Sequence, residues 1–183
     1  MLGYIMGGGI LPIAIHNHKI YFLFGKETYD NDTKGWADFG GGKEHNETVF
    51  ETAIREGGEE LNGFLGSDDV LKKRVKLNMV HVEKSRQYST YLFLIDYNKD
   101  LPTYYNNNFR FFASRLPEVK KEHNGLLEKS HIKWYSFEDL RRDKKKFRRF
   151  YQEFIDQFLR QQDQIEKKVF EKKNKKDTRK NRS

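Results

Sequence analysis

Three glutamates stand close together near the middle of the first half of the chain: Glu56, Glu59 and Glu60. At about 100° per residue of an α-helix, they share one narrow face within a single turn. Carboxylates spaced at i+3 and i+4 repel one another, and a helix that carries them calls for a cation. Oxygen donors of this kind suit a hard divalent ion, Mg2+ or Mn2+. Arg55 lies four residues from both Glu51 and Glu59, so it can pair with either and orient the carboxylates. A metal held beside such a cluster can neutralise phosphate oxygens and acidify a bound water.

The three acids belong to a longer pattern, G-x5-E-x7-R-E-x-x-E-E, formed by Gly41, Glu47, Arg55, Glu56, Glu59 and Glu60. From average residue usage, six such matches arise by chance on the order of once in 10⁴ to 10⁵ chains of this length. A merely solvated acidic helix face would not also require Gly41 and Glu47 at fixed distances. A phosphate-binding P-loop at Gly42-Lys43 is excluded, because neither Ser nor Thr follows the lysine.

The elements that must position these groups can be read from periodicity. A helix is expected from Glu47 to Leu61, with Asn46 as N-cap and Glu47 and Glu51 in its first turns. Phe50, Ala53, Ile54, Gly57 and Leu61 fall on a separate arc, the face that would pack on a sheet. Before the helix, WADF reads as a strand running into Gly40-Gly41-Gly42. That turn can aim backbone groups at the acids, and the Gly40 carbonyl is a candidate metal ligand.

Residues 10–24 read as a β-hairpin turning at Asn17-His18, with Pro12 near a strand start or edge. Residues 26–34 have the composition of a loop. Val75 to Val82 and Tyr88 to Tyr97 are strand candidates, the second apolar enough to be central. Pro102 to Asn108 reads as a loop, Phe109 to Ala113 as a short extended piece and Ser130 to Tyr135 as a last strand. Ser136 is placed to cap a helix start through Leu140. Apolar residues at 147, 150, 151, 154, 155, 158 and 159 then define an amphipathic helix. From Glu171 onward EKKNKKDTRKNRS has no apolar residue, so no burial would offset its ordering. The expected division is one domain over 1–165 and a basic, disordered tail over 166–183.

Composition bounds the rest. With 183 residues, the chain has room for one ordinary domain, and 15% aromatic residues supply core material for an apolar fraction of only 36%. Cysteine is absent, which excludes disulfides and thiolate metal sites and suits a reducing cytoplasm. The glycine-broken start MLGYIMGGGILPIAI does not read as a signal peptide, and no run is long enough for a membrane span. The net charge of +8 is unevenly spread: residues 141–183 hold 17 Lys/Arg against 7 Asp/Glu, the remainder 18 against 20. The basicity belongs to the C-terminal segment, where it could serve RNA, solubility or nuclear targeting.

The pattern resembles the Nudix box, G-x5-E-x7-R-E-U-x-E-E-x-G-U, where U is a bulky aliphatic. The likeness extends to the leading hairpin, the Trp-containing strand before the box and the late I-x-W-Y-S-x-x-x-L segment, and so covers roughly residues 10 to 160. It implies an α/β fold, a Nudix-like α/β/α sandwich with a mixed β-sheet flanked by helices and, here, a C-terminal amphipathic helix and basic tail. It further implies that Glu56, Glu59 and Glu60 are metal ligands with Glu56 a candidate base. A further ligand or base is expected from the loop before Trp134, with Glu128 the first choice and Glu118 and Glu122 weaker ones. Three positions depart from the pattern. Gly57 replaces a bulky aliphatic, for which close approach of another segment is one explanation. Asn62 replaces the glycine after the helix, where it can still form a left-handed cap. Phe39 stands where Pro is frequent.

The resemblance implies hydrolysis of a nucleoside diphosphate linked to another group, with Mg2+ or Mn2+ as cofactor. Among the aromatics that could stack on a base, Trp36 and Tyr104 are the choices, with Tyr105 and Phe109 behind them. Capped RNA, inositol pyrophosphates and a non-catalytic nucleotide- or RNA-binding role are the alternatives.

Overall fold

The computed structural model describes residues 6–28, 34–116 and 127–180. Strands β1 (Gly7–His16) and β2 (Lys19–Glu27) form the leading hairpin. Its two turn residues, Asn17 and His18, both have positive φ, the geometry that matches the twist of a two-residue hairpin. Strands β3 (Trp36–Ala37) and β4 (Phe39–Gly42) follow, then helices α1 (Val49–Glu60) and α2 (Asp68–Asn78). The chain continues through β5 (Met79–Ser85), β6 (Tyr88–Leu94) and α3 (Leu101–Arg115). After β7 (Lys129–Ser136) come α4 (Phe137–Asp143), a 3₁₀ turn at Lys144–Lys146, α5 (Gln152–Arg160) and α6 (Gln162–Lys180).

The strands form one mixed, open sheet in the order β3-β2-β1-β6-β5, with β4 also paired to β1 and β7 to β2. β1 runs parallel to β6 and antiparallel to β2 and β4. Alternation along the strands divides the core into two layers. Leu11, Ile13, Phe22, Phe24, Leu92 and Tyr135 face α4, α5 and α6. Ala14, Leu23, Phe93, Ile132 and Trp134 face α1, α2 and α3. Helices on both faces make the expected α/β/α sandwich. No helix among the described residues is long and apolar enough to cross a membrane.

Four local expectations need correction. The first helix begins at Val49, not Glu47; Thr48 caps it and Glu51 returns a bond to the Thr48 backbone, while Asn46 sits at positive φ outside the helix. Val75 to Asn78 closes α2 instead of opening a strand, with Leu71 and Val75 buried one turn apart. Residues 101–115 form α3, not a loop and an extended piece: Pro102 fits a first helical turn, and Tyr105 and Phe109, four apart, bury one face. Finally, α6 runs to Lys180 where disorder was expected from 166. Ile165 and Val169 are wholly buried, Phe170 packs beside them, and Lys173–Asp177 and Lys176–Asp96 pairs line the rest.

Candidate active site

Helix α1 starts on the Thr48–Glu51 capping box and lies against β1 and β4. Close packing there depends on glycines. A Cβ at Gly57 would meet Ile10 Cδ1 at 2.4 Å, so the residue that departs from the box pattern is where β1 touches the helix. A Cβ at Gly41 would meet the Glu56 carboxylate at 2.5 Å, so the bare strand β4 lets that acid lie against it. After the helix Asn62 takes φ +49 and Gly63 φ +70, the left-handed exit expected of this pair.

Arg55 organises one side of the site. Its Nε donates to Glu47 Oε1 at 2.7 Å, its Nη1 to Glu56 Oε1 at 2.9 Å, and its Nη2 to the Gly42 carbonyl at 3.3 Å. Glu59 Oε2 lies 3.5 Å from Nη1 and Glu44 3.8 Å. Of its two expected partners only Glu59 is taken, because Glu51 is engaged by Thr48 and lies 3.6 Å from Lys72. The hydrogen bond from Arg55 holds Glu47 down to about 2. Glu56 and Glu59 move the other way: burial raises both carboxyls against the pull of Arg55. Their side chains are 16% and 35% exposed, so both reach solvent.

Glu60 has different surroundings. Its side chain is 3% exposed, Oε1 lies 3.0 Å from Lys129 Nζ, and Oε2 accepts the Gly40 N–H at 2.8 Å. Burial pushes this carboxyl well up, opposed by Lys129. Lys129 is itself fully buried and also pairs closely with Glu27, which binds Arg148 at 3.0 Å. Burial alone would drive Lys129 toward neutrality, but Glu60 and Glu27 outweigh it and hold the ammonium charged. Because the N–H and C=O of one strand residue leave on the same side, the Gly40 carbonyl also points away from β1.

Glu128 enters from the opposite end of the chain. Its negative charge raises the carboxyls of both Glu59 and Glu60, which places it in their neighbourhood. The loop that carries it is pinned. Thr28 N–H and Oγ1 donate to the Glu128 carbonyl at 2.8 and 2.7 Å, and Asn62 Oδ1 accepts the Leu127 N–H at 3.3 Å. Glu118 and Glu122 lie outside the described residues. Trp36 is half-buried with its ring 5.3 Å from Tyr135, at the edge strand β3. Tyr104 is 61% exposed on the outer side of α3, whereas Tyr105 is sealed and places its hydroxyl 2.5 Å from the Glu60 carbonyl. Tyr105 therefore braces the end of α1 and is closed to a base; Phe109 is buried as well.

Three participants were not foreseen from sequence: Lys129, Glu27 and Asp38. Asp38 lies under the glycine strand, wholly buried, with Tyr88 donating at 3.0 Å and Thr90 at 2.8 Å. Burial lifts its carboxyl to about 6 despite those bonds.

Among the described residues no group of three or more Asp, Glu or His side chains converges on a ready metal cage. The donor chemistry nevertheless fits a hard cation. Glu56, Glu59 and Glu128 are oxygen donors, and Glu59 feels the repulsion of both of the others, opposed by Arg55.

No protein-family model matches the sequence, and no curated protein is found similar to it. Solved structures do match. A bifunctional NMN adenylyltransferase/ADP ribose pyrophosphatase from Francisella tularensis aligns with TM-score 0.53 at 17% identity, over 87% of this chain and 42% of that one. An Ap4A hydrolase from C. elegans aligns over 74% of this chain and 82% of its own, at 17% identity and TM-score 0.45. NrtR of Shewanella oneidensis aligns over 87% of this chain and 63% of its own, at 12% identity and TM-score 0.46. The chain has the Nudix fold. On the Nudix scaffold the box helix is α1, the glycine strand β4 leads into it, and the Glu128 loop precedes the Trp134 strand β7.

Proposed function

We propose that the protein is a metal-dependent Nudix hydrolase that cleaves the diphosphate of a nucleoside-diphosphate-linked small molecule. The observation that carries this reading is the pair Glu56 and Glu59, solvent-reaching on one side of α1 and oriented by a single arginine beside the glycines of β4. Glu56, Glu59, Glu128 and the Gly40 carbonyl are the groups that would hold Mg2+ or Mn2+. Such an ion, when bound, supplies charge for the phosphate oxygens and a more acidic water.

The chain's own residues do the rest. Arg55 keeps Glu56 against β4 and fixes the direction of its free oxygen. Burial raises the Glu56 carboxyl, which makes it a better proton acceptor than an ordinary surface glutamate. Glu56 or Glu128 then takes the proton of the attacking water.

The test is a panel with Mg2+ and Mn2+: ADP-ribose, nucleotide sugars, dinucleoside polyphosphates, capped RNA and inositol pyrophosphates. Metal-dependent release of a phosphate-containing product from a small nucleotide is the expected result. No turnover of any compound, with nucleotide still bound, would replace the enzyme by a binding module. A second reading, hydrolysis of capped RNA, is favoured by α6, which presents Lys-rich sequence as an ordered helix. Faster turnover of capped RNA than of any small nucleotide, falling steeply with salt, would put that reading first.

A further inference from the structure

We propose that Lys129 is the site's resident cation, a positioning residue that holds Glu60 on the glycine strand and out of the set that binds divalent metal. The inference rests on the metal-dependent reading above and refines which carboxylates it uses.

Lys129 has a place built for it. A buried lysine is rare and needs charge partners on hand, and here the fully buried ammonium lies between Glu27 and Glu60. Its stem passes over Gly25, in the middle of β2, where any Cβ would meet Lys129 Cγ at 2.8 Å and Phe39 Cε1 at 2.9 Å. The pairing of β2 with β7 shifts register between Lys26 and Glu27, and the shift brings Glu27 opposite Lys129. Glycine, bulge and acid all serve the one side chain.

Charge decides what is left for a metal. Arg148, Glu27, Lys129 and Glu60 form a linear run of alternating charge, two cations and two anions. Both Glu60 oxygens are used, one by Lys129 and one by the Gly40 amide. Toward the solvent-reaching side of the same acidic face Arg55 pairs with Glu44, Glu47, Glu56 and Glu59, and Lys129 acts on Glu56 from farther off. That side carries the surplus negative charge, and it is the side open to solvent. A divalent ion that keeps part of its water shell is drawn there and not to the buried, charge-paired Glu27, Lys129 and Glu60.

The experiment is Mn2+ titration of the substrate-free protein, followed by electron paramagnetic resonance, which reads bound and free ion without turnover. Wild type should bind Mn2+. Glu59→Gln should weaken binding at least tenfold and Glu60→Gln less than threefold. Lys129→Met, or Lys129→Met combined with Glu27→Gln should the single variant not fold, frees Glu60 and should add a bound Mn2+ or tighten binding at least fivefold. Equal weakening by Glu60→Gln and Glu59→Gln would overturn the proposal. So would unchanged Mn2+ number and affinity in the folded Lys129 variant. Absence of Mn2+ binding by the wild type overturns the metal-dependent reading itself, and this inference with it.

Discussion

Two clusters of charge meet at helix α1, and they are built on opposite principles. Around Arg55 one cation serves four carboxylates at a surface where Glu59 is 35% exposed. Around Lys129 the charges balance, and Lys129, Glu27 and Glu60 are all buried. The first arrangement carries surplus negative charge and reaches solvent. The second is sealed and behaves as part of the fold. Three carboxylates that sequence spacing makes equivalent are therefore divided by burial into two that reach solvent and one that is sealed against Lys129.

This contrast can be attacked at several points. The largest effect is expected at the open cluster: Glu56→Gln or Glu59→Gln should lower kcat by about two to four orders of magnitude, as loss of a general base or an electrostatic group does, with the melting temperature nearly unchanged. Near-normal turnover in both would dissolve the distinction. Next come two neighbouring glycines. Gly40→Ala drives a methyl onto the Gly9 Cα at 2.3 Å and the Gly8 carbonyl at 2.5 Å, and should cost about 3 kcal/mol in chemical denaturation. Gly41→Ala meets only the movable Glu56 carboxylate, so it should keep the fold while turnover falls about tenfold or more.

Two pH profiles of opposite slope complete the series. Asp38 has its carboxyl raised to about 6 by burial, so the folded state binds its proton more tightly than the unfolded chain does. Stability present below the ordinary aspartate range is lost as pH rises through about 6, by about 3 kcal/mol. Thermal melts of Asp38→Asn should lack that decline. Glu47, held down to about 2 by Arg55, behaves in reverse: its contribution is present above the usual glutamate range and fades as pH falls through about 2. It lies near the surface, so screening makes this the smallest effect. The melting temperatures of wild type and Glu47→Gln should differ at neutral pH and converge in strong acid.

The parts legible in sequence were those fixed by short-range geometry. A helix turn dictates that residues 56, 59 and 60 share a face, and the hairpin announces itself through alternation and two turn residues. The true N-cap was legible too, since Thr48-x-x-Glu51 is a capping box, although Asn46, just before Glu47, is also a residue type that caps helices. Helix α3 hid behind Pro and three successive Asn, all weak helix formers, and was recoverable only from the i,i+4 pair Tyr105 and Phe109. Lys129 left almost no trace. Its partners lie 102 and 69 residues away, and the one local sign was Gly25 inside an apolar strand. Asp38 likewise gave no periodic signal, because its partners Tyr88 and Thr90 belong to a distant strand.

Helix α6 closes one flank of the sheet. It crosses β5, the strand at the end of the order, where Lys168 Nζ sits 3.1 Å from His81 Nδ1 and Gln161 donates to Glu83 at 2.6 Å. Val169 and Phe170 of this helix pack into the same layer as the sheet residues beneath it. A protein cut at residue 165 would thus lose more than positive charge: it would uncover that end of the core layer and strip His81 of its lysine neighbour.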